Sequence, residues 1–446
     1  MREGITRLHG TLLRLKGELA WVMAGQAMAF AGGLAAIKIL TNILDVETYG
    51  QFAVGLTFAG LISLFVFGPM GQGVLRFFSI CREQGSLQQY FEVLRRLHSR
   101  VLKLLCLFFM LAAAVGSLVD ESRWTWLVLV SLLFGYLGGV NHLFLSLQNA
   151  LRQRRIVALH QGGDIWLRIG LAVFLLFWFG KSADFAMTGY CLGMLVVVAS
   201  QCRFAFRHEL VEENWQAGDA QADKDNPIYQ SMLEYIRPFL VFAVLGVFVL
   251  YADRWILLGM YSEREVGIYA ALYMIASAPI TLLMNLTGQF VLPVVFDQSG
   301  SMQLPGQAQR SRRSIMLSVA VIGSLMLLIV LIAFLLGEPI IRLMSNSEFS
   351  AYATSFWVIA LGLCLFHLGQ LLVMQGLTQG RPHVYILPKA IQAVSFLLLA
   401  LWFAHLYGIT GVAVALCISS ALYLLAVMFA NRRLAQEEGV KAGWAS

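Results

Sequence analysis

Three polar residues near the middle of the chain have a spacing that brings them together on a helix. His160, Asp164 and Arg168 recur every four residues, and residues four apart lie on one face of an α-helix. The guanidinium of Arg168 can bind the oxygens of a phosphate as a bidentate fork. We therefore expect either an Asp–Arg ion pair that packs helices, or an arginine that presents its charge to an anionic ligand while Asp164 fixes its orientation.

Other charged and amide side chains also lie within or at the ends of apolar runs, where a charge costs roughly 2.5–3.5 kcal/mol on membrane-insertion scales. Each has a structural alternative. Lys38 can extend to lipid headgroups, Arg76 can anchor at the membrane surface, and amides can hydrogen-bond between helices. Asp253 and Arg254 point about 100° apart on a helix, so we do not expect both to face one partner. The candidate ligand-binding residues are Lys38, Arg76, Asn141, Asp164, Arg168, Asp253, Arg254, Gln289 and Gln370.

The sequence lacks the patterns of several other chemistries. The six cysteines are scattered without a CxxC pair, and no His, Cys and carboxylate group has the spacing of metal ligands. There is no phosphate-binding glycine loop of the ATPase type. The net charge of +7 is not gathered into a basic stretch with interleaved aromatics, which nucleic-acid binding favours. We expect no catalytic residue, no metal, no cofactor and no nucleic-acid partner.

Composition shows which elements must position these residues. Of 446 residues, 59% are hydrophobic and 13% charged, against about 25% charged in an average soluble chain. So much apolar surface excludes a soluble enzyme with one anchor, and it predicts an all-α polytopic membrane protein. About twelve runs are long enough to span a bilayer. They cover residues 19–43, 51–74, 101–119, 124–147, 157–179, 184–206, 237–260, 266–292, 314–336, 351–374, 385–404 and 409–430.

The basic residues predict the orientation. The N-terminus and every second loop hold 25 of the 32 Lys and Arg residues, and the opposite loops hold four. Because cytoplasmic loops carry the positive excess, both termini are expected in the cytoplasm. The first run is long enough to be a retained span rather than a cleaved signal. Residues 1–16 read as an amphipathic interfacial helix, with a frayed tail as the alternative.

The polar stretch 207–230 divides the chain into two halves that share a pattern. It is expected to be a cytoplasmic linker between six-helix bundles at 17–206 and 231–430, with a cytoplasmic tail at 431–446. Residues 39–75 align without gaps on 256–292, with nine identities that include Gly50 and Gly267. Both halves start on the same side, so the sequence predicts a parallel repeat related by a pseudo-twofold axis along the membrane normal.

Four short motifs, in their order along the chain, resemble those of bacterial polysaccharide biosynthesis proteins, the oligosaccharide flippases. The motifs are Leu44-Asp-Val-Glu-Thr-Tyr49-Gly50-Gln-Phe52, Gly71 with Arg76-Phe77, Asp253-Arg254 with Val266-Gly267-Ile-Tyr269-Ala270, and Tyr407-Gly408-Ile-Thr-Gly411. The resemblance extends over nearly the whole chain and implies the multidrug/oligosaccharidyl-lipid/polysaccharide exporter superfamily. That fold would place two six-helix bundles around a central cavity with alternating access.

The resemblance also implies a function. It predicts a flippase of the bacterial inner membrane that translocates an undecaprenyl-pyrophosphate-linked oligosaccharide for surface or exopolysaccharide biosynthesis. For such a substrate, the anionic ligand expected from the residues at Arg168 would be the pyrophosphate, and the packing ion pair stays the alternative. The expected partners are this lipid-linked oligosaccharide, membrane lipids, H⁺ or Na⁺ as the coupling ion, and glycan polymerase machinery.

Two alternatives stay open at this stage. A cation-coupled multidrug exporter of the same superfamily normally has an acidic residue early in its first bundle, but the first span here has no Asp or Glu between Ala20 and Leu44. A membrane glycan polymerase or ligase commonly has a long outer loop, and the longest one predicted here, 337–350, is short.

Overall fold

The computed structural model describes residues 2–118, 122–151, 153–207, 227–299, 307–379 and 381–444, and this part of the chain is helical with short connections. The α-helices are α1 (Arg2–Ile43), α2 (Val46–Ile62), α3 (Gly68–Glu83), α4 (Leu87–Leu118), α5 (Ser122–Ala150), α6 (Arg154–Phe179), α7 (Ala183–Arg207), α8 (Pro227–Leu250), α9 (Ala252–Met260), α10 (Glu263–Ser299), α11 (Gln307–Met344), α12 (Ser347–Ser350), α13 (Ala353–Thr378) and α14 (Ile386–Trp444). A π-helical turn, Ser63–Phe67, joins α2 to α3, and a 3₁₀ turn, Pro382–Tyr385, precedes α14.

Within the described residues, eleven helical stretches are long and apolar enough to cross a membrane. The last stretch, Pro382–Gln436, has 55 residues. At ~1.5 Å per residue it would be about 80 Å long, well over twice the hydrocarbon thickness. Gly408 interrupts it with φ 57° and ψ −132°, a left-handed φ that glycine adopts without steric cost. The eleven stretches therefore overlap all twelve predicted runs, with two runs joined in the last stretch, and the all-helical membrane fold is confirmed.

Two of the spans are irregular where the sequence predicted continuous helices. The predicted run 237–260 is divided between α8 and α9, because Tyr251 has non-helical angles of φ −135° and ψ −20°. The second span contains the π-helical turn Ser63–Phe67, with Gly68 and a proline directly after it. Such turns and prolines are the usual causes of bends in helices.

The chain forms two compact units, and neither is a single half of the sequence. The first contains Met1–Ala36 and Gly55–Ala243, and the second contains Ile37–Val54 and Val244–Ser446. Each of α1, α2 and α8 therefore contributes to both units. The predicted bundles at 17–206 and 231–430 stay a proposal. Most of the predicted linker, residues 208–226, lies outside the described residues, as do the side chains of residues 1–16 on which the interfacial helix depends.

The beginning of α8 packs into the first unit through an apolar cluster. Its Met232 and Ile236 join residues of α3 and α4, including Phe78 and Tyr90, and all four are buried. The Tyr90 hydroxyl donates a 3.1 Å hydrogen bond to the Val74 carbonyl. This cluster, with its satisfied buried hydroxyl, explains why the first turns of the seventh span belong to the first unit.

One part of the predicted repeat is visible in the helix boundaries of the second unit. Helix α1 ends at Ile43 and α9 at Met260, while α2 begins at Val46 and α10 at Glu263. Both pairs differ by 217 residues, which is the offset of the sequence alignment. The span 1–2 corner and the span 7–8 corner are thus built alike. For the remainder of the two halves the repeat stays a prediction.

Candidate functional site

The expected Asp164–Arg168 ion pair forms inside the first unit. Arg168 Nη2 lies 2.7 Å from Asp164 Oδ2, one helical turn away on α6, and the two side chains are only 12% (Asp164) and 18% (Arg168) exposed. The i, i+4 spacing that suggested the pair is therefore realised. The pairing reduces the cost of keeping each charge out of water.

Two aromatic rings from neighbouring helices hold the Arg168 guanidinium. Its Cζ lies 5.5 Å from the centre of the Phe134 ring on α5 and 5.4 Å from that of Tyr190 on α7. A guanidinium at this distance from a ring is attracted to its π-electrons. Helix α7 comes close because Gly193 packs on the Arg168 backbone, where an added Cβ would lie 2.7 Å from the Arg168 Cα. The sequence did not reveal these two rings, since both belong to other spans.

The ion pair is not fully satisfied within the described residues. Asp164 Oδ1 and Arg168 Nε are buried and have no hydrogen-bond partner there. Buried polar atoms in native proteins nearly always have one. Arg168 Nε is a donor and Asp164 Oδ1 an acceptor. By their chemistry, the enclosed donor matches an oxygen of an anionic ligand and the enclosed acceptor matches a hydroxyl group.

His160, the third residue of the predicted face, lies apart from this pair. Its Nδ1 is 3.0 Å from the Ile156 carbonyl and its Nε2 is 3.0 Å from the Ser200 hydroxyl on α7. The histidine thus connects α6 to α7 through these two hydrogen bonds. Shared helical register was not enough to bring the three residues together.

Asp253 and Arg254 face each other, contrary to the expectation that they would not share a partner. Arg254 Nη1 lies 2.7 Å and 2.8 Å from the two Asp253 carboxylate oxygens and donates a 2.8 Å hydrogen bond to the Leu250 carbonyl. The long arginine side chain folds back over the interruption at Tyr251, which explains the difference.

The same pair also satisfies both helix ends at that interruption. Asp253 Oδ1 accepts a hydrogen bond from the Arg254 backbone N–H at the start of α9, and Arg254 satisfies the carbonyl at the end of α8. The guanidinium lies 4.3 Å from the Tyr273 ring. Asp253 is 1% and Arg254 6% exposed. Their contacts are those of a pair that stabilises a broken helix.

Lys38 and Arg76 make different contacts. Lys38 is half-buried, and its Nζ donates a 2.8 Å hydrogen bond to the Ser345 carbonyl, directly after α11. A cation at a helix C-terminus is electrostatically favourable. Arg76 on α3 is exposed, and its guanidinium lies 5.0 Å from the centre of the Tyr235 ring on α8.

The candidate amides are also distributed among different helices. Asn141 is buried and accepts a 3.4 Å hydrogen bond from Gln201, which in turn accepts one of 2.5 Å from Gln148. This chain of amides connects α5 to α7. Gln289 on α10 and Gln370 on α13 are half-buried in the second unit. Within each unit, the candidates therefore belong to separate groups of contacts.

Sequence reasoning missed a buried cation in the second unit. It counted Lys389 with the cytoplasmic loops, but Lys389 lies in the first turn of α14 and is 7% exposed. Its Nζ is 3.0 Å from Gln392 Oε1 and lies over the Phe366 and Tyr423 rings, at 4.4 Å and 5.3 Å. The signal was available, because the position falls inside the predicted run 385–404.

Lys389 occupies surroundings like those of Arg168. Each cation lies on the fifth span of its half, between a phenylalanine of the fourth span and a tyrosine of the sixth. Among the described residues no group of three or more His, Cys, Asp or Glu side chains could hold a metal ion. The described polar sites are formed by cations that are paired with a carboxylate or an amide and lie against aromatic rings.

Comparison with solved structures shows the fold. The chain is similar to the lipid II flippase MurJ in an inward closed conformation, with 14% identity and a TM-score of 0.69 over 93% of this chain and 87% of that one. It is also similar to a multidrug resistance MATE family transporter of the MOP superfamily in two conformations. The outward-facing structure gives 11% identity and a TM-score of 0.64, covering 94% of this chain and 96% of that one.

The inward-facing MATE structure gives 12% identity and a TM-score of 0.61, covering 95% of this chain and 98% of that one. Inward-facing and outward-facing states of one fold fit alternating access. No curated protein matches the chain. The family model described as "Polysaccharide biosynthesis protein" matches residues 18–299. This match covers more than half of the sequence and agrees with the motif resemblance, so the chain belongs to the polysaccharide biosynthesis protein family.

Proposed function

We propose that this protein is a flippase that moves an undecaprenyl-pyrophosphate-linked oligosaccharide across the bacterial inner membrane, for surface or exopolysaccharide biosynthesis. Two findings support this proposal at the level of the family and the fold. The chain belongs to a polysaccharide biosynthesis family, and one structural neighbour is a flippase for lipid II. The apolar helices would let the lipid tail stay in the bilayer while a polar head group crosses.

The observation that carries the proposal is the state of Arg168. It is a mostly buried cation with a donor, Nε, that has no partner among the described residues. A pyrophosphate offers negative oxygens to such a donor, and a charge-assisted hydrogen bond is about twice as strong as a neutral one. Asp164 would hold the guanidinium in place through Nη2 and leave the Nε donor of Arg168 for the ligand. The partner-free Asp164 Oδ1 can accept a hydrogen bond from a sugar hydroxyl.

We further propose the inner membrane as the location, both termini in the cytoplasm, and H⁺ or Na⁺ as the coupling ion. Glycan polymerase machinery is the proposed downstream partner, because a translocated oligosaccharide must be joined to the growing glycan.

A cation-coupled multidrug exporter is the second candidate. The similarity to MATE transporters in two conformations favours it. Against it, the first span has Lys38 and no acidic residue between Ala20 and Leu44.

Deleting the gene and analysing the lipid-linked glycans tests the proposal. We expect an undecaprenyl-linked oligosaccharide to accumulate on the cytoplasmic leaflet, and wild-type protein to clear it. Arg168→Lys should clear it only in part, since an ammonium lacks the bidentate fork. Lys181→Ala, which removes an exposed cation after α6, is the matched control and should behave like wild type. Unchanged glycans, with new drug sensitivity of the deletion strain, would favour the second candidate.

A further inference from the structure

Four basic residues lie within nine residues of helix α4. They are Arg95, Arg96, Arg100 and Lys103. The whole helix contains a single acid, Glu92. At ~1.5 Å per residue, the four bases occupy about 12 Å of the helix axis. By the predicted topology, they belong to an inner loop and to the beginning of the run 101–119, so they lie at the inner surface of the membrane.

Three of these bases continue into apolar residues on the same face of α4. Arg96, Arg100, Lys103, Leu107, Met110 and Leu111 follow one another at steps of mostly three or four residues, and residues with this spacing share a helix face. The three apolar residues are exposed, as are Arg100 and Lys103, and Arg96 is half-buried. We call these six residues the α4 stripe. Arg95 is exposed too, but it lies about 140° from Arg100 around the helix.

Packing of the opposite face fixes the orientation of the α4 stripe. Tyr90 and Val93 of α4 are buried in the apolar cluster with α3 and α8. Further along, Leu105 is buried in a second cluster that includes Phe67 and Leu132. Both clusters belong to the first unit. They prevent α4 from rotating about its axis, so the stripe faces away from the packed interior.

Two of the basic side chains are held in place by their neighbours. Arg96 forms an ion pair with Glu92, one turn earlier on α4. Arg100 donates a hydrogen bond from Nη1 to the Tyr229 hydroxyl on α8, and its Cζ lies 5.1 Å from the centre of the Tyr229 ring. Such contacts restrict the rotamers of a long side chain, and a restricted side chain loses less entropy when a ligand binds.

The order of charged and apolar residues along the stripe indicates its ligand. Lys103 and Leu107 are separated by about 6 Å along the helix axis, so the basic part passes directly into the apolar part. A molecule with an anionic head and an apolar tail matches this order. Clusters of four or more Lys and Arg residues on the inner side of a transmembrane helix attract anionic lipid headgroups. A zwitterionic headgroup gains less, because it brings its own cation.

We propose that the α4 stripe binds an anionic phospholipid of the inner leaflet. Arg100 and Lys103 hold the phosphate, and the acyl chain lies along Leu107 and Met110. Because Arg100 also contacts Tyr229, the bound lipid holds the inner ends of α4 and α8 together at the level of the headgroups. The site is independent of the substrate that the protein transports.

Native mass spectrometry of the full chain in detergent tests this site. The protein is titrated with phosphatidylglycerol and, separately, with phosphatidylcholine that has the same acyl chains. We expect the wild-type chain to bind phosphatidylglycerol more tightly. Arg100→Gln and Lys103→Gln should each weaken that binding about fivefold, the effect of one basic residue on an anionic headgroup. Binding of phosphatidylcholine should stay at the wild-type level.

The matched control is Arg95→Gln, which removes the same charge from the same helix outside the stripe. It should keep the wild-type affinity for phosphatidylglycerol. Equal weakening by Arg95→Gln would show a delocalised attraction to the whole basic segment and would overturn the stripe as a site. If thermal unfolding shows that Arg100→Gln does not fold, the exposed Lys103→Gln decides the question in its place.

Undecaprenyl phosphate is the third lipid of the titration, since it combines the same anionic group with an isoprenoid tail. Stripe variants that bind it more weakly, yet bind phosphatidylglycerol like wild type, would overturn the proposed occupant. A wild-type chain without preference for phosphatidylglycerol over phosphatidylcholine would overturn the site altogether. No transport is measured, so neither result depends on whether the proposed function is correct.

Discussion

Removing the charges of the Asp164–Arg168 pair one at a time and together separates a packing role from a binding role. Breaking a buried ion pair costs about 3–5 kcal/mol, whereas replacing both charges with apolar groups can be neutral. Asp164→Ala should destabilise the protein by about 3 kcal/mol, the lower limit of this range. The freed guanidinium still interacts with the Phe134 and Tyr190 rings, and each interaction contributes about 0.5–2 kcal/mol. Arg168→Met should destabilise the protein by about 5 kcal/mol, the upper limit, because it leaves both carboxylate oxygens of Asp164 buried without a partner.

The double variant Asp164→Ala/Arg168→Met should return to within about 1 kcal/mol of the wild-type stability. Methionine retains an unbranched side chain between the two rings, so the packing changes little. Thermal unfolding of the purified protein in detergent measures the change in stability of each variant. The charge-assisted hydrogen bond to a ligand is worth about 1.5–3 kcal/mol, so transport should fall by roughly one to two orders of magnitude in both Arg168→Met and the double variant.

The decisive outcome is the transport of the stable double variant. If Arg168 binds the substrate, the double variant folds normally and does not export glycan. Lys181→Met, in an exposed loop position, should keep both stability and export. A double variant that regains wild-type stability and also exports at the wild-type rate would refute the binding role and leave a packing pair.

The structure supports two further predictions, and the charge distribution of the sequence supports a third. Arg254→Ala should destabilise the protein by about 3 kcal/mol or more, because Asp253 and the Leu250 carbonyl lose their shared partner; unfolding at the wild-type temperature would contradict the assigned role of the pair. Lys389→Met should leave the unfolding temperature unchanged or raise it, because it removes a buried charge that has no carboxylate partner among the described residues; a large decrease would contradict this reasoning. A reporter that is active only in the cytoplasm should work when fused after Arg155 or Arg313 and fail after Lys181 or Glu263. Two reversals among these four fusions would refute the predicted topology.

The spans could be predicted from sequence because a bilayer imposes a length and an apolar composition on each of them. The Asp164–Arg168 pair was predictable for a similar reason, since its geometry is set by the four-residue spacing on a single helix. Both properties are local. The α1–α2 and α9–α10 corners are related by the same offset of 217 residues. This relation was also visible in the sequence, because identical residues occur at positions separated by that offset.

Contacts between helices could not be predicted in this way. Nothing next to Tyr251 marks it as an interruption, since the proline of the run 237–260 is Pro238 and its glycines are Gly246 and Gly259. The interruption is stabilised by Arg254 folding back, which depends on Tyr273 of another helix. Lys389 was counted with the loops although it falls inside the predicted run 385–404. The sequence could place it in that run, but the rings of Phe366 and Tyr423 that surround it belong to other spans and could not be predicted.

Transport by the purified protein in liposomes tests the central claim most directly. The wild-type chain is reconstituted with a fluorescent undecaprenyl-pyrophosphate-linked oligosaccharide, and a membrane-impermeant glycosidase measures the fraction that reaches the outer leaflet. We expect rapid translocation by the wild-type protein and a strong loss in Arg168→Met, with Lys181→Met retaining the wild-type rate. Equal translocation by wild-type protein, Arg168→Met and protein-free liposomes would contradict the account.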